Sequence, residues 1–286
     1  MKGKGIWFCM FLLLLIGLTG CGKGKSITTE ESFEPGKVSS IAIESDSWDI
    51  QIGKSADSNI HVGFKGSSKE ERDSATARLQ NGELAIQQSE PQKSFANQVT
   101  LGKAGTIKLD LPQDVSLPLK LVNGDGDFKV EDVSFSELTI ENDSGYATLS
   151  NLLVDKLNVL TKSGDFKLLS GVYDQVKVVA DSGYVTMSKV QAPRAEVSAS
   201  SGEVAVTGIQ ESPDLAIRTG SGDITVSYQE NPASLSFLVS SLSEDVTVRF
   251  KNASYTADVP ARKEGMVGAG VNRLSVSSDG GTIVIR

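Results

Sequence analysis

The sequence predicts an all-β chain: a single-stranded parallel β-helix or β-roll solenoid with coils of about 19 residues. Three observations lead there. Glycines in Ser- and Asp-rich turns recur at Gly126, Gly145, Gly164, Gly183, Gly202 and Gly222, spaced by 19, 19, 19, 19 and 20 residues. The residues at fixed offsets from them are apolar in every repeat. Finally, 28 Gly against 2 Trp, with abundant Ser, Asp, Val and Ile, favours turns and short strands over helices.

The offsets define columns. Seven residues before each glycine lie Leu119, Leu138, Leu157, Val176, Ala195 and Leu215, and five before lie Leu121, Ile140, Val159, Val178, Val197 and Ile217. Two after lie Phe128, Ala147, Phe166, Val185, Val204 and Ile224, and four after lie Val130, Leu149, Leu168, Met187, Val206 and Val226. Seven after, Val133, Leu152, Val190 and Ile209 recur, with Val172 one position late. Polar residues alternate with these, as in half-buried strands. Each coil therefore offers two strands, parted by the glycine turn and by a second bend near Asn151 or Ser170. Two strands cannot bury an apolar face alone. Stacking coils about 4.8 Å apart sets each column on itself and pairs the backbone between coils. An antiparallel sandwich would not need a constant register.

The elements follow in order. Lys2 and Lys4 precede an apolar run from Ile6 to Leu18, the layout of a secretory signal peptide over 1–20. The run falls short of the roughly 20 apolar residues of a membrane span. Its end, Leu18-Thr19-Gly20-Cys21, resembles a bacterial lipobox. That resemblance implies cleavage before Cys21, a diacylglyceryl thioether on its sulfur and a further acyl chain such as palmitate on its amino group. The alternative is an uncleaved anchor. Residues 21–37 read as the lipidated cysteine and a flexible tether, polar and Gly-bearing. The solenoid is expected over 38–286, regular over about 119–228.

The column pattern extends outward. Ile41, Ile43, Ile50 and Ile52 keep it about Trp48, Phe237, Val239, Val246 and Val248 about Glu244, and Leu274, Val276, Ile283 and Ile285 about Gly281. Gly82 with Leu84 and Ile86, and Gly105 with Ile107 and Leu109, mark irregular coils, and 254–271 is the largest interruption. Ten to twelve such coils would make a rod of about 50 Å.

The run Ile107-Lys-Leu-Asp-Leu-Pro112, the serial turns Ser163-Gly-Asp-Phe166 and Ser221-Gly-Asp-Ile224, and the closing strand Val276 to Ile285 carry a family resemblance. The chain resembles the bacterial "putative adhesin" domain of unknown function of LiaG-like envelope proteins, over about 38–286. The resemblance implies a β-helix at the cell surface and, in some members, a link to envelope-stress signalling. It implies no catalytic residues.

Removing Lys2 and Lys4 with the first 20 residues takes the formal net charge from −8 to −10. Such a surface repels nucleic acid and anionic headgroups. With Cys9 lost and Cys21 acylated, no thiol remains for a disulfide, a metal or nucleophilic catalysis. His61 is the one histidine, in the strand-like run Ile60–Phe64, so Ser-His and Cys-His mechanisms and a His-rich zinc site have no residues to use. Acidic residues recur at the turns: Asp125, Asp127, Asp143, Asp165, Asp181, Glu203 and Asp223. Asp125, Asp127, Asp165 and Asp223 are weak candidates for a calcium strip, set against ordinary Asp and Ser turn chemistry. Asn123-Gly-Asp-Gly-Asp127 starts like an EF-hand loop but has Phe128 where Gly is needed. Asp125, Asp127 and Asp165 could pair as in a glycoside hydrolase, yet such short coils leave no walled cleft. Gly268-Ala-Gly270 lacks a phosphate-loop pattern. Tyr146 and Tyr184 follow alternate turn glycines, as surface packing or as a weak sugar- or peptide-binding face.

These readings converge on an exported, noncatalytic lipoprotein without cofactor. It would be anchored on the outer face of the cell membrane, or at the outer membrane or in the periplasm of a two-membrane cell. Its expected work is an adhesin-like or envelope-stress scaffold, partnered by wall, polysaccharide or envelope protein. A polysaccharide-active enzyme and a calcium-stabilised module are the alternatives.

Overall fold

The computed structural model describes residues 25–68, 75–88 and 105–286. The fold is all-β: an open, β-solenoid-like sheet of 23 strands. The N-terminal strands are β1 (Lys25–Phe33), β2 (Ser40–Ser45), β3 (Asp49–Lys54), β4 (Ile60–Ser68), β5 (Ala75–Gln80), β6 (Glu83–Gln88) and β7 (Gly105–Leu111). The middle holds β8 (Leu119–Asn123), β9 (Phe128–Glu131), β10 (Ser134–Asn142), β11 (Ala147–Thr161), β12 (Phe166–Ala180), β13 (Val185–Gln191), β14 (Arg194–Ala199), β15 (Val204–Ile209), β16 (Asp214–Thr219) and β17 (Ile224–Tyr228). The chain ends with β18 (Leu235–Ser241), β19 (Val246–Val248), β20 (Ala253–Val259), β21 (Arg262–Val267), β22 (Asn272–Ser278) and β23 (Ile283–Ile285).

From β8 to β15 each strand pairs in parallel with the segment 19 residues on. Leu119 faces Leu138, Leu138 faces Leu157, Phe128 faces Ala147 and Ala147 faces Phe166. Like side chains therefore stack in dry columns: Leu138, Leu157, Val176, Val178, Phe166 and Leu168 all have no measurable exposure. Burying each such side chain stabilises the fold by about 1.5–3 kcal/mol.

The layers do not follow chain order at the ends. β2 lies between β6 and β8, and β3 between β7 and β9, so the first coil of the chain is the second layer. The final strands β22 and β23 slot between β16/β17 and β18/β19, making the last coil the ninth of ten layers among the described residues. At about 4.8 Å per layer the stack runs about 43 Å. The outermost layers are covered by antiparallel strands. β5 pairs with β6, and β4 with β7, while β21 pairs with β18 and carries β20. Open solenoid ends invite edge-to-edge pairing, and these hairpins occupy them. The stretch 254–271 is thus largely the β20–β21 cover. An edge-to-face cluster of Phe237, Phe250, Tyr228 and Tyr255 plugs that end.

Two expectations are corrected. Residues 25–33, placed in a flexible tether by their polar composition, form β1 and pair with β4. Backbone pairing at an edge needs no apolar face, so composition hides it. The two-strand coil also gains a short third side. Asp132, Asn151, Ser170, Lys189 and Gly208 all take left-handed φ between 54° and 61°, one per layer. The bend expected near Asn151 and Ser170 is there, but each such residue reverses the inside–outside parity that follows it. A buried column Phe135, Val154, Tyr173 and Ala192 results. Val172, expected inside, is 47% exposed, whereas Tyr173 is 1% exposed. Gly171 makes room for it: a Cβ there would lie 2.9 Å from the Tyr173 hydroxyl.

Candidate functional site: the glycine-turn corner

Three rows of side chains build the corner where the glycine turns stack. The innermost is a buried polar seam three residues before each turn glycine. Asn123 Nδ2 donates to Asn142 Oδ1 at 2.7 Å and to Gly126 O at 2.5 Å. Asn142 Nδ2 donates to Gly145 O at 2.9 Å and to Thr161 Oγ1 at 3.2 Å. Thr219 Oγ1 donates to Gly222 O at 2.8 Å, and Ser241 Oγ to Gly281 O at 2.6 Å. All are buried. The seam satisfies turn carbonyls that would otherwise be stranded in the core.

The glycines form the second row, and close approach explains most of them. A Cβ on Gly145 or Gly222 would overlap the carbonyl oxygen of the turn glycine one layer before. At Gly183 both reasons hold: φ is +99° and a Cβ would lie 2.8 Å from Gly164 O.

The outer row carries the acidic residues singled out from sequence. Asp127 Oδ1 accepts from Tyr146 N at 2.9 Å, Asp165 Oδ1 from Tyr184 N at 2.9 Å, and Asp223 Oδ1 from Thr282 N at 2.7 Å. Asp49 Oδ1 accepts from Asp127 N at 2.9 Å. Each carboxylate thus ties one turn to the next. Asp125 Oδ1 accepts from Ser144 Oγ at 2.6 Å. Lys162 pairs with Asp143 at 2.6 Å, and that contact raises the lysine pKa. The candidates Asp127, Asp165 and Asp223 stand in the third, fifth and eighth layers, so Asp127 and Asp223 are about 24 Å apart. They do not converge on one ion. Among the described residues no three His, Cys, Asp or Glu side chains group as metal ligands. Cys21 lies outside the described residues.

His61 sits on β4, away from the corner, with Nε2 2.9 Å from Asp57 Oδ1 and Nδ1 3.8 Å from Glu30. Its side chain is 22% exposed, so it is tucked between carboxylates more than facing solvent. The backbone N–H of Asn59 and then the His61 ring hold the Asp57 carboxyl below the usual range.

Two open grooves mark the outer faces. One, about 350 Å³, runs past Lys54, Lys108, Asp110, Lys129 and Glu131, and its lysines are largely spent. Lys108 pairs with Asp110 and Lys129 with Glu131, both at 2.6 Å, and Lys54 donates to Gln113 at 2.6 Å. The other, about 440 Å³, lies along Asp155, Asp174, Pro193, Arg194 and Pro213. No described helix is long and apolar enough to cross a membrane.

The family model described as Toastrack DUF4097 matches residues 38–286. The chain belongs to that family. Its Toastrack domain thus coincides with the stacked layers and their end covers. The fold is shared with a "putative adhesin" from Bacteroides fragilis, at TM-score 0.55 and 17% identity, over 91% of this chain and 97% of that one. A "putative cell adhesion protein" from Clostridium sporogenes is similar over 91% of this chain and 99% of that one, at TM-score 0.37 and 14% identity. A "putative lipid binding protein" from Parabacteroides distasonis is similar over 92% and 98%, at TM-score 0.42 and 16% identity. Among curated proteins none matches the chain in sequence.

Sequence reasoning found the acidic and tyrosine positions and missed the polar seam. The seam's signal was present: Asn123, Asn142, Thr161 and Thr219 fall three before each glycine, on the inward parity of Leu121 and Leu119. A polar column on an inward parity marks a hydrogen-bonded ladder.

Proposed function

We propose that this Toastrack domain is a noncatalytic surface interaction module, exported and held to the membrane by lipid on Cys21. In the finer reading of its fold it is a single-stranded parallel β-helix of about 19-residue coils, which the constant pairing offset supports. The observation that carries the proposal is the position of β1. It begins at Lys25, four residues after Cys21, and pairs outside the first layer through β4. A lipid on Cys21 would grip the stack by that end and present the other end about 40 Å away. Two or more acyl chains give stable anchoring where one gives marginal binding. The adhesin names of structurally similar proteins fit such a role.

The exterior fits an interaction surface better than an active site. Asp125, Asp127 and Asp165 lie on a convex edge, each already bound to a hydroxyl or backbone N–H. Metabolic labelling with an alkyne palmitate tests the anchor: wild type should carry label, and Cys21→Ser should not and should be released. Equal labelling of both, or no label on either, would refute the lipid tether. Incubation with wall and capsular polymers tests catalysis. Turnover that disappears in Asp125→Asn/Asp127→Asn/Asp165→Asn would establish the enzyme instead.

A further inference from the structure

Tyr146 and Tyr184 are 63% and 53% exposed, the largest exposures of any aromatic among the described residues. Both occupy the position after a turn glycine. Phe128 N donates to Tyr146 O, Ala147 N to Asp165 O, and Phe166 N to Tyr184 O, so the two tyrosines stand one layer either side of Asp165. Their separation along the stack is two layers, about 10 Å. Their backbones are fixed, because Asp127 and Asp165 each clamp the N–H of the tyrosine that follows. Beside them runs a serine row. Ser163, Ser182 and Ser201 hydroxyls donate to the carbonyls of Asp143, Lys162 and Asp181. A hydroxyl that has donated its proton keeps accepting capacity. The strip therefore offers two fixed aromatic faces amid acceptors, carboxylates and serine oxygens alike.

We propose that this strip binds a neutral, extended β-linked glycan, with every second sugar ring resting on a tyrosine. Sugar rings have flat C–H faces for the aromatics and many O–H and N–H donors for the acceptors. A two-layer aromatic spacing is close to a disaccharide repeat in such a chain. The surrounding Asp125, Asp127, Asp143, Asp165, Asp181 and Glu203 repel an anionic polymer. A peptide strand adding to the sheet would need free backbone edges, whereas Asp143 N, Ser144 N, Ser163 N and Ser182 N are already bonded to the preceding layer.

The inference deepens the surface-module reading and rests on it. The mature lipoprotein in detergent would be titrated calorimetrically with a hexasaccharide of β-1,4-linked N-acetylglucosamine, an oligolysine peptide and a glycerol-phosphate polymer. Only the hexasaccharide should bind. Tyr184→Ala should weaken binding roughly tenfold, and Tyr146→Ala/Tyr184→Ala should abolish it with unchanged melting. Tyr184→Phe should stay within about twofold, since the stacking face is kept. Absent hexasaccharide binding, binding indifferent to the double substitution, or preference for the peptide or phosphate polymer would each overturn the site. Envelope-protein capture from intact cells by wild-type protein separates the two claims. Capture without glycan binding sinks the tyrosine strip alone; failure of both sinks the surface module with it.

Discussion

Asn142 to leucine is the sharpest perturbation of the corner. The two side chains have similar volume, so no cavity opens, and the change isolates hydrogen bonding. Asn142 is 2% exposed and bridges three layers: it accepts from Asn123 Nδ2 at 2.7 Å and donates to Gly145 O at 2.9 Å and Thr161 Oγ1 at 3.2 Å. Leucine removes all three. The Gly145 carbonyl and the Asn123 amide bear most of the loss, each stranded group costing about 1–3 kcal/mol. Burial of the added apolar surface returns about 1–2 kcal/mol. The net destabilisation is about 2–4 kcal/mol, a drop in melting temperature of about 5–12 °C for a domain of this size. Asn142→Thr keeps a hydroxyl to meet Gly145 O, as Thr219 does for Gly222, and should cost about 1 kcal/mol. Urea and thermal unfolding followed by circular dichroism measure both. A leucine variant as stable as wild type, or more stable than the threonine variant, would refute the seam as a stabilising element.

Three further outcomes are expected. Val178→Asp buries an unpaired charge between Val159 and Val197 and should cost at least about 4 kcal/mol or abolish folding. Lys177→Asp, outside and beside Glu196, should cost no more than about 1 kcal/mol, and equal effects would mean inside and outside are exchanged. Gly145→Ala drives a Cβ into the Gly126 carbonyl and should cost about 2–3 kcal/mol, while Gly36→Ala, with nothing within 4 Å, should melt like wild type. Burial raises the Tyr173 and Tyr228 phenols well above their usual pKa. Folding therefore holds their protons, so stability should be level below about pH 10 and fall as pH rises beyond it. Tyr173→Phe should move the alkaline unfolding midpoint upward; an unchanged midpoint would dissociate the phenol from that transition.

Much of the stack was written in the spacing of apolar residues. Leu119, Leu138 and Leu157 share a column because strand parity is 2 and coil length is constant, and both are visible in one chain. The column Phe135, Val154, Tyr173 and Ala192 was hidden because left-handed Asp132, Asn151, Ser170 and Lys189 each reset that parity. Periodicity names the members of a column but not their order, so Leu274 could be assigned to its column without revealing that it lies between Leu215 and Phe237. β1 and the β20–β21 cover pair antiparallel and share no register with the coils. At the corner, the acidic and tyrosine positions were legible as a column. What each carboxylate does was not, because Asp127 and the Tyr146 N–H it binds are 19 residues apart in the chain.

The polar seam, the tyrosine spacing and the tethered end all follow from one claim: the chain is a single layered stack whose terminal coils lie inside it. Cysteine pairing tests this most directly. Ala216 is in register with Ser275, and Ser275 with Leu238, so the final strand separates the other two. Ala216→Cys/Ser275→Cys, one layer apart at about 4.8 Å, should close a disulfide under mild oxidation, since bridged Cα atoms lie within about 7 Å. Ala216→Cys/Leu238→Cys, two layers apart, should remain reduced. The reverse outcome, with Ala216→Cys joined to Leu238→Cys and not to Ser275→Cys, would show coils stacked in plain chain order and contradict the architecture.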